Sequence, residues 1–184
     1  MTPRKQIAKT IEDCNHFLLT AHVNPDGDAI GSMIGLGHLL TRMGKEFTFY
    51  NPSGLPERFA WLNTQEKIHS KLPQKEFEWI VVLDCGDGNR LGEDLEAKLL
   101  PEKIINIDHH YGNPEFGKQN WIEPGKSSVG EMIALLAKDR GMELDGAMGE
   151  SLYLAMITDT GSFPYSNTGQ ETFYLAAEIL EAGL

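Results

Sequence analysis

Apolar residues along the chain gather into short unbroken runs, separated by longer stretches of helical period. Phe17-Leu18-Leu19-Thr20-Ala21 is the first such run. It is short and apolar on both faces, as a strand inside a sheet requires. Ahead of it, residues 3–15 place Ile7, Ala8 and Ile11 on one face and predict an amphipathic opening helix. Behind it, a polar turn gives way at Ala29 to small residues and leucines as far as Met43, a second helix, which Gly44 can end. Glu46-Phe47-Thr48-Phe49-Tyr50 alternates and is rich in aromatics, which predicts a second strand. Asn51-Pro52-Ser53-Gly54 breaks the chain. Residues 55–75 carry no clear period beyond a helical turn at 57–62 around Phe59, Trp61 and Leu62.

Trp79-Ile80-Val81-Val82-Leu83-Asp84 is the strongest strand signal in the protein. A short helix is expected over 92–100, then a strand over Lys103-Ile104-Ile105-Asn106-Ile107-Asp108, a loop holding Gly112, Asn113, Pro114 and Gly117, and an edge strand at 120–123. Ser128-Val129-Gly130-Glu131 has the capping-box pattern and opens a helix to about 140. Residues 146–158 read as a helix of small and apolar residues, interrupted at Thr158-Asp159-Thr160-Gly161-Ser162, and a final helix covers 170–182. Strands alternating with helices predict an α/β fold, a mostly parallel sheet flanked by helices.

Length and charge narrow the function. With 184 residues and 41% hydrophobic content, the chain can build one sizeable core in one domain. A net charge of −11 argues against nonspecific binding to long nucleic acid. It leaves room for a short phosphorylated substrate, because bound cations supply local positive charge. Cys14 and Cys85 form neither a C-x-x-C pair nor a disulfide framework. The first residues lack an apolar signal core, and no run approaches the ~18 apolar residues of a membrane span. The expectation is a cytoplasmic protein with no membrane partner.

The polar turn carries the chemistry. His22-Val23-Asn24-Pro25-Asp26-Gly27-Asp28 sets one imidazole and two carboxylates between a strand and a helix. Pro25 fixes one backbone angle and Gly27 frees another, so Asp26 and Asp28 can be aimed differently. The set suits a divalent cation such as Mn²⁺ or Mg²⁺, although an acidic turn before a helix is also an ordinary cap. Three apolar runs end in such groups: Ala21-His22, Leu83-Asp84 and Ile107-Asp108-His109-His110. In a parallel sheet those ends share one edge, where bare carboxylates would repel one another and a metal pair would remove the conflict. His22, Asp26, Asp28, Asp84, His109 and Asp159 supply six side chains, and the lack of a thiolate disfavours a structural zinc site. Ser127 and Ser128 stand at a predicted helix start, where free N–H groups suit a phosphate and where a plain cap is the alternative. Arg90 is either a phosphate contact or a solvated surface charge. Ser162 and Tyr165-Ser166-Asn167-Thr168 are candidates to shape the pocket. His16, His38 and His69 read as ordinary helix or surface residues, and Trp61 and Trp121 as packing. No dinucleotide-binding or P-loop pattern occurs.

In order and spacing, His22-x-x-Pro25-Asp26-Gly27-Asp28, Asp84, Asp108-His109-His110 and Asp159 resemble the DHH superfamily of phosphoesterases, over about residues 16–168. Val82-Leu83-Asp84-Cys85-Gly86-Asp87, Asn106-Ile107-Asp108-His109-His110 and Thr158-Asp159-Thr160-Gly161-Ser162-Phe163 are most similar to its oligoribonuclease-like branch. That branch acts on very short RNA and on adenosine 3′,5′-bisphosphate. The resemblance implies two divalent cations, Mn²⁺ above Mg²⁺. One would be held by His22, Asp26 and Asp84, the other by Asp28, Asp84, His109 and Asp159, so that Asp84 bridges. His110 would face the scissile phosphate and Asp108 would orient a neighbouring histidine. Short oligoribonucleotides or small nucleotides are the implied substrates, with a homodimer as a further expectation. A pyrophosphatase or polyphosphatase of the same superfamily, and a regulatory nucleotide-binding module without turnover, are the alternatives. Gly27 leans away from the pyrophosphatases, which tend to carry a bulkier hydroxyl residue there. Relatives in this branch usually carry a C-terminal substrate-gripping domain with a glycine-rich, histidine-containing motif. Nothing here matches that motif, so residues 1–184 are read as the single catalytic domain.

Overall fold

Strands β1 (His16–Ala21), β2 (Glu46–Tyr50), β3 (Ile68–His69), β4 (Trp79–Leu83), β5 (Ile104–Asp108) and β6 (Gln119–Ile122) pair in parallel throughout, in the order β3-β2-β1-β4-β5-β6. The structure is a computed structural model, and it describes residues 1–97 and 100–184. The chain leaves β1 in one direction to build β2 and β3, then returns to β1's other side for β4, β5 and β6. The switch point therefore lies between β1 and β4, where Ala21 pairs with Leu83. Ligand crevices of such sheets open at the carboxyl ends of the strands that flank this point.

The helices are α1 (Pro3–Asp13), α2 (Gly27–Arg42), α3 (Glu93–Glu96), α4 (Val129–Lys138), α5 (Gly146–Asp159) and α6 (Gln170–Glu181). Leu19, Val81, Leu83, Ile105 and Ile107 face the larger core, together with α2, α4 and α5. Leu18, Val82 and Ile104 face a smaller one with Tyr50, Leu91 and Leu95. This division follows from the period of two along each strand.

α2 is buried continuously from Gly27 to Leu40. Gly27, Gly31 and Gly35, spaced by one turn, form the face on which α5 lies. A Cβ on Gly31 would stand 2.4 Å from the Ser151 carbonyl oxygen, and one on Gly35 would stand 2.4 Å from Leu152. Gly27 was expected to free the backbone of the turn. It is instead the first residue of α2 and has no positive φ; a Cβ there would collide with Thr158 at 2.4 Å. Its requirement is space.

Most expected elements form within a residue or two of their expected bounds. The short β3 is an addition, since two residues give no readable period. The helix expected over 92–100 is only Glu93–Glu96, entered through Gly92 at φ +88° after a 3₁₀ turn over Gly88–Leu91; Lys98 and Leu99 of that span lie outside the described residues. Cys14 caps α1, Cys85 is buried, and both are free thiols. Among the described residues no helix is long and apolar enough to cross a membrane.

Candidate metal centre

The cluster is assembled from the ends of β1, β4 and β5 and from three helix ends. At the end of β1, the Asn51 side-chain amide donates to the carbonyls of Ala21 and His22, at 3.3 and 2.9 Å. The His22 ring donates from Nδ1 to the Val23 carbonyl at 2.8 Å, which leaves Nε2 without its proton in the neutral ring. Asp26 is the N-cap of α2: Oδ1 accepts from the Ala29 amide at 3.0 Å, while Oδ2 stands 3.8 Å from His22 Nε2. The two readings of this turn, cap and ligand, thus fall to the two oxygens of one carboxylate.

Asp28 is fully buried in the first turn of α2. Its carboxylate accepts from the Val129 amide at 2.7 Å, the Gly130 amide at 2.9 Å and the Ser32 hydroxyl at 2.9 Å. The N-terminus of α4 is thereby spent on an internal anion, as its free amides and dipole favour. Asp84 follows β4 with φ +52°, in the left-handed region that few non-glycine residues occupy. Such strain at a strand end is typical of functional positions. Asp159 closes α5 with its side chain about a third exposed.

These groups converge. His22 Nε2 lies 3.6 Å from Asp84 Oδ2, and His109 Nε2 lies 3.7 Å from Asp84 Oδ1, 3.7 Å from Asp28 Oδ2 and 3.3 Å from Asp159 Oδ2. Most of these separations exceed a hydrogen bond, yet they suit ligands that share an ion at ~2.1 Å each. One group of three joins His22, Asp26 and Asp84; another joins Asp28, His109 and Asp159. In each the ligand atoms lie within 4.8 Å of one another. A third grouping, Asp84 with His109 and His110, overlaps both. Asp84 Oδ1 and His109 Nε2 are buried without any hydrogen-bond partner. With His109 Nδ1 turned to the Lys126 carbonyl, both orphaned atoms offer lone pairs to one space, which fits a cation between them.

The electrostatics agree. Burial raises the Asp28 carboxyl well above the usual range, and the charges of Asp84 and Asp159 add to the effect. Burial also raises Asp159, with Asp84 and Asp26 reinforcing it against His109. At His22 burial opposes the charged ring, but the Asp26 and Asp84 carboxylates outweigh it and hold the pKa at about 10. Asp26 is held down at about 2; burial works the other way and is overcome by His22 and the Ala29 amide. The site is a cage of buried carboxylates in want of positive charge.

His110 stands at the rim of that cage, its Nδ1 3.7 Å from Asp84 Oδ1. Its Nδ1 bonds Asp108 Oδ1 at 2.8 Å, and its side chain is about half exposed. The Asn113 amide donates to Asp108 Oδ2 at 2.7 Å and to Asn106 Oδ1 at 2.9 Å. Burial would raise Asp108, but the bonds from His110 and Asn113 hold it low, and Asp108 in turn raises His110. Asn113 was read only as a loop residue. The signal that could have found it is Asn106, a polar residue inside an apolar strand that needs a buried partner.

Ser127 and Ser128 are buried and occupied. Ser128 caps α4 through the Glu131 amide at 3.0 Å, and the Ser127 hydroxyl donates to Glu131 Oε2 at 2.6 Å. The amides expected to meet a phosphate hold Asp28 instead. Arg90 is exposed in the 3₁₀ turn; its carbonyl accepts from the Val23 amide at 2.7 Å, which ties that turn to the His22 loop. Ser162 is exposed, with φ +67°, in the turn that follows Asp159. Asn167, from the run expected to shape the pocket, donates to the carbonyls of Ser127 and Asp159, each at 3.0 Å. His16 and His69 are exposed, and His38 is buried on α2 against the Asn63 carbonyl. Trp121 is buried, whereas Trp61 is 58% exposed.

A doubly wound sheet with a carboxylate–imidazole cage at its switch point places the chain among α/β proteins whose ligand crevice opens there. Residues 16–157 match the N-terminal domain of the DHH family, and the chain belongs to that family. It is 33% identical over 97% of its length to the bifunctional oligoribonuclease and PAP phosphatase NrnA of Thermus thermophilus, and covers 53% of that protein. Against the Bacillus subtilis protein of the same name it is 29% identical, covering 97% of this chain and 56% of that one. An exopolyphosphatase-related protein from Bacteroides fragilis superposes with a TM-score of 0.87 at 27% identity, covering 99% of this chain and 57% of the other. The chain thus spans about half the length of these relatives.

Proposed function

We propose that this chain is the catalytic domain of a two-metal phosphoesterase acting on short oligoribonucleotides or on small nucleotides such as adenosine 3′,5′-bisphosphate. The observation that carries the reading is Asp84, whose two oxygens face two histidines belonging to two different ligand groups. The names of the Thermus and Bacillus relatives supply the substrate class.

His22, Asp26 and Asp84 would hold one cation, and Asp28, His109 and Asp159 the other, with Asp84 shared. Oxygen and imidazole donors without thiolate favour Mn²⁺, then Mg²⁺. Bound there, such ions lower the pKa of water and neutralise charge on phosphoryl oxygens. The protein's own part is orientation and proton traffic. Nδ1 bonding to the Val23 and Lys126 carbonyls leaves Nε2 of His22 and His109 free for an ion. His110 is steadied by Asp108 and Asn113, and Asp108 favours its protonated form. A half-exposed imidazolium there would stabilise charge on the phosphorus-bound oxygens or protonate the leaving oxygen. Two free thiols suit work in a reducing compartment such as the cytoplasm.

A hydrolysis panel with Mn²⁺ tests the proposal, comparing di- to pentaribonucleotides, adenosine 3′,5′-bisphosphate, linear and cyclic dinucleotides, pyrophosphate and polyphosphate. Turnover of the first two, lost with a chelator, is expected. Turnover confined to pyrophosphate or polyphosphate would move the chain to another branch of the superfamily, and no turnover of any ester would overturn the reading.

A further inference from the structure

Glu131 has a role that its position in a capping box does not explain. In such a box the glutamate reaches back to the amide of the N-cap residue. Here the Ser128 hydroxyl caps the helix as expected, but the Glu131 carboxylate turns elsewhere. It is 2% exposed. Oε2 accepts from the Ser127 hydroxyl at 2.6 Å, the Ser127 amide at 3.4 Å and the Thr172 hydroxyl of α6 at 2.7 Å. Oε1 lies 3.3 Å from the Lys126 ammonium, which also pairs with Glu171 of α6. Burying a carboxylate is costly, and a helix start already capped by serine does not require one.

What the carboxylate anchors is the segment 126–130. The Lys126 carbonyl accepts from His109 Nδ1 at 3.1 Å. The Val129 and Gly130 amides hold Asp28. The Ser127 carbonyl shares the Asn167 amide with the Asp159 carbonyl. Asp28 and His109 are therefore bonded directly to this short stretch, and the backbone of Asp159 is tied to it through Asn167. The other group is fixed elsewhere: His22 by the Val23 carbonyl and by Asn51, and Asp26 by the Ala29 amide.

We propose that Glu131 is a positioning residue for one of the two cations, the one held by Asp28, His109 and Asp159, and that it acts by clamping segment 126–130 between α4 and α6. The inference rests on the metal-centre reading above. Its consequence is selectivity, since a residue needed only for stability would weaken both sites together.

Two measurements test it, on Glu131→Ala and on the milder Glu131→Gln. Gln keeps an acceptor oxygen for Ser127 and Thr172 but turns an amide toward Lys126. In Mn²⁺ titration calorimetry the alanine variant should weaken one of two binding classes by about 10–100-fold. The other class, joined to it only through the shared Asp84, should weaken by a clearly smaller factor. The glutamine variant should show a smaller loss at the same site. In the metal-free protein, ¹⁵N imidazole spectra should show the Nδ1–H tautomer of His109 lost or broadened in the alanine variant, with His22 unchanged. Equal weakening of both classes, or two unchanged classes with an unchanged His109 signal, overturns the proposal. Should Glu131→Ala fail to fold, Glu131→Gln and Thr172→Val carry the same comparison. A wild-type protein that binds no Mn²⁺ would defeat the metal-centre reading, and the His109 spectra would still decide whether Glu131 sets that ring.

Discussion

Asp84 Oδ1 lies 3.7 Å from His109 Nε2, and neither buried atom has a hydrogen-bond partner. A cation between them would engage both atoms. Asp84→Asn should therefore keep the fold by circular dichroism and lose turnover by at least about 100-fold. Without metal its melting temperature should equal or exceed that of the wild type, because one charge has left a cage that already pushes the Asp28 carboxyl upward. Mn²⁺ should stabilise the variant far less than the wild type. Wild-type rates under saturating Mn²⁺ would rule out a shared Asp84.

Metal binding should release protons. In the metal-free protein the His22 pKa is held at about 10, so the ring is charged at neutral pH. A raised folded-state pKa stabilises the metal-free protein fully below about pH 6.5, and that contribution fades as pH rises toward 10. The upward shift of Asp28 has the same sign at lower pH: its contribution is present below the usual carboxylate value and is lost as pH rises. An ion needs the unprotonated donors, so apparent Mn²⁺ affinity should climb between pH 6.5 and 8.5. Calorimetry at pH 7.5 in buffers of different ionisation enthalpy reads the proton count directly. An enthalpy independent of buffer would refute the linkage.

Asn113 steadies Asp108, which steadies His110. Asn113→Ala should lower kcat by about 10–100-fold and change Mn²⁺ affinity far less, because Asn113 bonds Asp108 and none of the six residues assigned to the cations. Parallel kinetics and titration separate the two effects. A matching loss of affinity would show that His110 belongs to the metal set.

The contact of α2 with α5 has no room for a methyl group. Gly31→Ala would set a Cβ 2.4 Å from the Ser151 carbonyl oxygen, which is backbone and cannot swing aside. The expected cost is about 1–3 kcal/mol, read from denaturant unfolding. Because α2 carries Asp28 at its start, Mn²⁺ affinity should fall as well. An unchanged midpoint would show that the helices separate freely.

The sequence by itself determined every strand of the central sheet but the two-residue β3, and the acidic or imidazole group that ends each of β1, β4 and β5. Both are written in short windows: an unbroken apolar run such as 79–83, and the residue that follows it. Once the sheet is parallel, those ends must meet, so His22, Asp84 and His109 were legible as one cluster. Tertiary structure alone decided what holds them. Asp28 finds its amide donors at Val129 and Gly130, 101 and 102 residues further on. Ser127 and Ser128 are turned inward because α4 gives its free amides to Asp28, and Gly27 is needed for its nearness to Thr158. Such partners depend on which helix ends pack together, and neither hydrophobic period nor residue type carries that information across a hundred residues.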